Sequence, residues 1–510
     1  MRALFLMLLL GSGLVAGPVI AQNDPDPGPP FVVRSLLVWT AEEASSPGDL
    51  GADTPSGIAL INSLGVMSPL MELPAGVTTV IPCGESATAP GRGAFVFYAG
   101  NPTVGTLYLV RGQETPVEID EVQRNTCQGV GSFRFSPDGS RFAYLDYPTF
   151  SSPPTFLSAT LKVYDVETAN LSYESENATA FALDAGRVGV ARFFTDGDGN
   201  ADEAAVWLWD GTQDREVAIL RPDGTDSGCA FVSASAAWLL EDQFSLLLGQ
   251  LCTRTRQTSW QSYVISPADG SATLATAEDI IGAYLIFART NAQFVAPGGA
   301  ASVFTVPDGI VANTASLYAL EQEALTTELL LERQVVMPAN TTPANTTPRQ
   351  SPDGRWLAFA ETSPDNENAL TVFDLSDLSL SPIRVSAGST GDVVSALRFT
   401  DDSQRLYAVL GGTDQEDNGV VVVDLATGND TRAARGQFTE YVALAENGLL
   451  GEGLMGLSDW QFPEDPTEEP YLNLVLLDAP SSATRVLYPG IVTEGDEIVA
   501  RRFAVPLAWR

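Results

Sequence analysis

Phe133-Arg-Phe-Ser-Pro-Asp-Gly-Ser-Arg-Phe-Ala-Tyr144 is the stretch that decides the fold. Its centre, Ser136-Pro-Asp-Gly139, has the chemistry of a tight turn. Proline presets φ at the second position, aspartate bonds nearby backbone, and glycine accepts the final geometry. On either side apolar residues alternate, the mark of two half-buried strands. Gln350-Ser-Pro-Asp-Gly-Arg-Trp-Leu-Ala-Phe359 repeats the unit. Leu397-Arg-Phe-Thr-Asp-Asp-Ser-Gln-Arg-Leu-Tyr-Ala408 is a degenerate third copy.

A second pattern follows these copies: an apolar strand closed by Asp, then a polar turn, then another strand. It reads Leu161-Lys-Val-Tyr-Asp165, Val206-Trp-Leu-Trp-Asp210, Leu370-Thr-Val-Phe-Asp374, Val420-Val-Val-Val-Asp424 and Leu472-Asn-Leu-Val-Leu-Leu-Asp478. Weaker copies begin near Gly57, Thr106, Ser262 and Ser316. The nine starts fall about 52 residues apart, near the period of a four-stranded propeller blade. A four-stranded meander cannot bury both faces alone, and radial stacking buries them and protects the edges. The sequence therefore predicts an all-β chain, a β-propeller of four-stranded antiparallel blades. Eight blades are preferred, with seven or nine as alternatives. Leu317 to Arg333 has helical composition, but Thr326-Thr327 and its place in the repeat favour a hairpin. The terminal strand around Glu497 to Trp509 is expected to pair with the first unit and close the ring.

The Ser-Pro-Asp-Gly unit resembles the TolB-type, or PD40, branch of the WD40-like propellers. The resemblance rests on 133–165, 350–374 and 397–424, about a quarter of the chain. TolB proteins carry an α/β domain ahead of the propeller. Here strand-like units begin at about Phe31, so that family's partners are not carried over. Prolyl oligopeptidases share the repeat but append an α/β-hydrolase domain, which this sequence does not show.

Residues 1–21 read as a secretory signal peptide: Arg2, an apolar run from Leu4 to Leu10, and Val19-Ile20-Ala21 ahead of the cleavage site. The run is too short for a comfortable membrane span. Residues 22–30 form a Pro-rich spacer, and 31–510 form the propeller, interrupted by a low-complexity loop at 338–348 (PANTTPANTTP). The predicted location is extracytoplasmic, periplasmic or secreted. No membrane span is expected after signal cleavage.

Asp and Glu number 64 against 27 Lys and Arg, a net charge of −37, and Lys162 is the only lysine. Such a surface repels nucleic acid and anionic lipid. The four cysteines, Cys83, Cys127, Cys229 and Cys252, allow three pairings, of which Cys83–Cys127 with Cys229–Cys252 is preferred. No CxxC spacing points to zinc or redox chemistry.

The sequence has no histidine, which removes Ser-His-Asp and Cys-His catalysis and histidine-ligated metals. The phosphate-cradling GxxxxGK[ST] motif is missing. Carboxylate chemistry survives, since a glycosidase needs two suitably spaced acids. The sialidase Asp-box SxDxGxxW is not met: in Ser351-Pro-Asp353-Gly-Arg-Trp356 the glycine falls one position early. Alternating tryptophans such as Trp207, Trp209, Trp238, Trp260 and Trp356 read as inter-blade core rather than a sugar platform.

One loop stands out. Phe194-Thr-Asp-Gly-Asp-Gly-Asn-Ala-Asp-Glu203 alternates oxygen-bearing residues with glycine, a way to wrap a hard cation. It resembles the DGDGxxD core of calcium loops in FG-GAP, thrombospondin type 3 and dockerin repeats. The resemblance implies Asp196, Asp198, Asn200 and Asp202 as calcium ligands. Phe194 departs from it where those loops place an aspartate. The leading expectation is an exported non-catalytic scaffold that binds a protein or small ligand at the propeller face or funnel. The alternatives are a carboxylate-dependent glycoside-active enzyme and a calcium-stabilised cell-surface protein.

Overall fold

The structure is a computed structural model. It describes residues from 35 onward apart from internal segments, the longest being 148–158, 276–293 and 337–348. The predicted signal peptide, the spacer and the loop 338–348 lie outside the described residues.

Among the described residues nearly everything regular is strand; the helical segments are the single turns Pro47–Asp49 and Asn125–Gln128. All strand pairs are antiparallel, and consecutive strands pair with each other in meander order. The strands group in fours. Module 1 combines the strands of residues 35–72 with the C-terminal strand Glu497–Trp509. Modules 2 to 9 follow along the chain: 79–123, 133–178, 178–220, 229–275, 294–336, 349–388, 393–435 and 437–488. Modules 3 and 4 share the long strand Leu171–Leu183. Its first half pairs with Ala159–Asp165 and its second half with Val188–Thr195. The stretch 317–333 forms the expected hairpin, pairing Thr314–Glu321 with Leu329–Val336.

Side chains alternate across each strand, so the two faces of a sheet can pack on different neighbours. In module 1, Leu37 and Trp39 join Val80, Phe95 and Phe97 of module 2 in one buried cluster. Their strand neighbours Leu36 and Val38 join Leu474, Leu476 and Tyr488 of module 9 in another. The pattern continues. Val96 and Tyr98 meet Phe142 and Tyr144 of module 3. Ala143 and Leu161 meet Val188 and Trp209 of module 4. Phe193 and Val206 meet Phe231 and Phe244 of module 5. Modules 7 and 8 share Trp356, Leu370, Leu406 and Val423, and modules 8 and 9 share Tyr407, Val409, Leu457 and Leu477. The last module thus packs on the first.

Backbone pairing closes the ring as well. Phe503 to Trp509 runs antiparallel to Leu36–Ala41, joining the C-terminal strand to the first strand of module 1. Trp39 meets Phe503 edge to face at 5.2 Å beneath this junction. Sheets stacked face to face around a closed ring define a β-propeller.

Two glycines stand where modules approach closely. A Cβ on Gly189 would stand 2.2 Å from the Phe244 ring of the next module, and one on Gly456 would stand 2.7 Å from Leu36.

Candidate functional site

The two turns of the repeat recur in modules 3, 7 and 8, and both lie at the same end of the module. In module 3 the Ser136 hydroxyl donates to Asp138 at 2.7 Å and accepts from the Arg141 amide at 3.0 Å. Ser351 repeats these contacts with Asp353 and Trp356, and Thr400 with Asp402 and Arg405. Gly139 and Gly354 take positive φ of 65° and 77°, and Ser403 takes the same conformation at 57°. The strand-closing aspartates act alike: Asp165 accepts from the Thr168 amide and hydroxyl, and Asp424 accepts from the same groups of Thr427.

The strand entering the first turn is the innermost of its module, because the first strands of successive modules lie against each other, Arg349–Gln350 on Val393–Phe399 and Val393–Phe399 on Gln437–Leu444. Two residues before the turn stands an arginine in three modules: Arg134, Arg349 and Arg398. Their registers correspond, Arg134 opposite Ala143, Arg349 opposite Ala358 and Arg398 opposite Tyr407. The guanidinium of Arg134 lies 5.8 Å over the Phe181 ring on the inner strand of module 4. It reaches on to the Ala236 carbonyl of module 5, at 3.4 Å. Arg398 donates to the Leu397 carbonyl at 2.8 Å. The turns of modules 7 and 8 touch, because the Asp353 amide donates to the Ser403 hydroxyl at 3.0 Å. Arg349 and Arg398 therefore stand on strands that enter adjoining turns. Sequence reasoning passed over these arginines. The signal was present, since each precedes its Ser or Thr by two residues.

Other cations sit between modules. Lys162, on the third strand of module 3, bridges Asp120 of module 2 at 2.5 Å and Asp146 at 2.9 Å. The Tyr144 hydroxyl donates to the same Asp120 oxygen, 2.7 Å away. Burial alone lowers the pKa of Lys162; the hydrogen bonds and charges of the two aspartates outweigh it and hold the ammonium above the ordinary lysine range. Burial pushes the Asp146 carboxyl up, against the pull of Lys162. One ammonium thus bridges two carboxylates across the seam of modules 2 and 3, and removing it would leave their charges facing each other.

Between modules 3 and 4, Arg192 lies 4.2 Å over the Trp207 ring and donates to Ser175 and Asp214. Trp209 stacks on Tyr173 at 5.0 Å, and the Arg141 guanidinium lies over its ring at 4.9 Å. Trp207, Trp209 and Trp356 thus sit in or beside the inter-module core, as expected for packing aromatics.

The structure joins Cys83 to Cys127 and Cys229 to Cys252. The first pair ties module 2 to the helical turn that leads into module 3. The second links directly opposed residues of neighbouring strands in module 5.

Of the residues expected in the acidic loop, Asp196, Asp198 and Asn200 lie outside the described residues. Asp202 is exposed on the strand Ala201–Trp209. Thr195 pairs with Ala201, so the loop is a five-residue connection between paired strands. Among the described residues no cluster of three or more metal-binding side chains occurs, and no helix is long and apolar enough to cross a membrane.

No family model matches the chain, and no curated protein does. Solved structures similar to it include dihydro-heme d1 dehydrogenase NirN in complex with DHE, at 14% identity and a TM-score of 0.42, covering 84% of this chain and 74% of that one. The Dos1 propeller is similar at 13% identity and a TM-score of 0.39, over 75% of this chain and 93% of that one. TolB from Acinetobacter baumannii is similar at 11% identity and a TM-score of 0.29, over 66% and 77%. A prolyl endopeptidase is similar at 14% identity and a TM-score of 0.39, over 78% of this chain; the chain spans about half (52%) of that protein's length.

Proposed function

We propose that this chain is an exported, non-catalytic β-propeller that serves as a scaffold for a protein or small ligand bound at its face or funnel. The observation that carries the reading is that its polar networks serve the seams and turns. Lys162, Arg192 and the turn aspartates are engaged in holding strands and modules together. The missing histidine and the paired cysteines narrow the chemistry further. The repeat is of the TolB, PD40 type, supported by three turns with the same hydrogen bonds. Each four-stranded module is one blade, which makes nine in place of the preferred eight. The two disulfides support an extracytoplasmic location. Residues 1–21 act as the signal peptide and 22–30 as the spacer ahead of the propeller.

The test is affinity capture and a ligand screen with chain beginning at Gln22. Saturable binding without turnover is expected, and robust turnover of a polysaccharide would point instead to the carboxylate-dependent glycoside-active alternative.

A second reading is favoured by one observation: the short connection 196–200, rich in carboxylate and amide oxygens, bridges paired strands. A calcium ion held by Asp196, Asp198, Asn200 and Asp202 stabilises the module 4 hairpin. The melting temperature is expected to rise with calcium and fall with EDTA; an unchanged value removes calcium from the account.

A further inference from the structure

We infer that the inner-strand arginines Arg349 and Arg398 form an anion-binding site in the propeller channel, with Arg134 at the equivalent position in module 3, selective for ligands bearing carboxylate or phosphate groups. The inference rests on the scaffold reading and names its ligand class. Three observations carry it. The arginines occupy one register position on the innermost strands of modules 3, 7 and 8. Arg134 is exposed, and Arg349 and Arg398 are half-buried, so all three reach solvent. The adjoining turns of modules 7 and 8 bring two of them onto neighbouring strands.

Position matters because of composition. Arginine and lysine together supply only 27 residues against 64 acids. Over most of such a surface an approaching anion is repelled. A repeated cation at the innermost position gives a local attraction there. Guanidinium suits anion capture because it stays charged at any working pH and presents a planar fork that matches carboxylate and phosphate oxygens. Each arginine also has protein partners, so an anion joins an existing network. The Phe181 ring beneath Arg134 and the Ala236 carbonyl beyond it hold that side chain along the inner wall. Module 4 places Ala182 ahead of its own first turn, where Arg134 precedes the turn of module 3, and no long side chain competes there.

The experiment is isothermal titration of chain beginning at Gln22 with citrate and, separately, inorganic phosphate. The variants are R349Q, R398Q, the double variant and R398K, with R485Q on the exposed outer strand of module 9 as control. The expected result is citrate binding that weakens about tenfold in each single Gln variant and disappears in the double variant, with R485Q unchanged. R398K is expected to weaken citrate at an unaltered melting temperature, because it keeps the charge and loses the fork; it carries the test if the double variant does not fold. Citrate above phosphate in affinity indicates a polycarboxylate, and the reverse a phosphate ester. Equal citrate binding in wild type and folded double variant, or no binding of either anion, overturns the inference. A chain that captures partners but binds neither anion keeps the scaffold reading and loses this one. Turnover with arginine-dependent citrate binding does the opposite.

Discussion

At the scale of single residues, Ala169 and Ser403 hold left-handed backbone, with φ of 59° and 57°. An L-residue pays about 1–2 kcal/mol there that glycine avoids. The same turn position in module 8 is Gly428, at φ 72°. Ala169→Gly is therefore expected to stabilise by about 0.5–1 kcal/mol in urea denaturation, after the greater unfolded-state entropy of glycine is subtracted. Ser403→Gly is expected to gain less, because the Ser403 hydroxyl accepts the Asp353 amide. Asp374 sets a pH dependence. Burial raises its pKa, but the Arg355 guanidinium and the Ser376 hydroxyl and amide outweigh that and hold the carboxyl below the usual range. A lowered folded-state pKa stabilises above the unfolded value of about 4 and is lost as pH falls through the folded value. Asp374→Asn is expected to flatten the stability profile below about pH 4, measured by denaturant midpoints. An unchanged slope would refute the assignment.

At the scale of elements, the seams decide. Gly189 faces the Phe244 ring with no room for a Cβ, so Gly189→Val is expected to cost at least about 1–3 kcal/mol by overpacking. The Lys162 bridge is the polar counterpart. Lys162→Ala leaves two aspartates facing each other in the seam of modules 2 and 3. A loss of about 2 kcal/mol is expected, below the fully buried range because about a fifth of each side chain meets solvent. The folded-state pKa of Lys162 is raised, so its contribution is complete below about pH 10 and is lost as pH rises through the folded value. Lys162→Met is expected to remove that alkaline loss, and a variant that keeps it would show that the lysine is not its source.

The whole molecule depends on its closing strand. Residues 502–509 fill module 1 and bury Phe503, Ala504 and Val505 completely. A chain ending at Arg501 exposes the faces shared by modules 9, 1 and 2, because a module without its closing strand leaves both neighbours partly uncovered. Loss of the single cooperative thermal transition is expected in calorimetry; a transition unmoved by the truncation would show that ring closure does not hold the fold.

How much of this was legible follows from the range of each interaction. The Ser-Pro-Asp-Gly turns, the strand-closing aspartates and the apolar alternation are local, acting over two to five residues, and they can be read from the sequence alone. So can the terminal strand, because a lone edge at each end of a repeat needs the other. The degenerate Thr400-Asp-Asp-Ser403 turn keeps its hydrogen bonds because Thr replaces Ser as the hydroxyl and Ser403 adopts the glycine conformation. The inner-strand arginines were missed because inner and outer strands of a module carry similar apolar patterns, and only the sheet order tells them apart.

The sequence by itself determined the all-β class, the repeat, the preferred cysteine pairing and the chemistry that histidine would have supplied, since each depends on composition or on neighbours along the chain. Only the tertiary structure decided which face of each strand meets which module, that Lys162 joins acids 42 and 16 residues away, and that the arginines of modules 3, 7 and 8 share one level. Those relations arise when sheets stack around a common axis, and stacking brings together residues whose separation along the chain carries no trace of their contact.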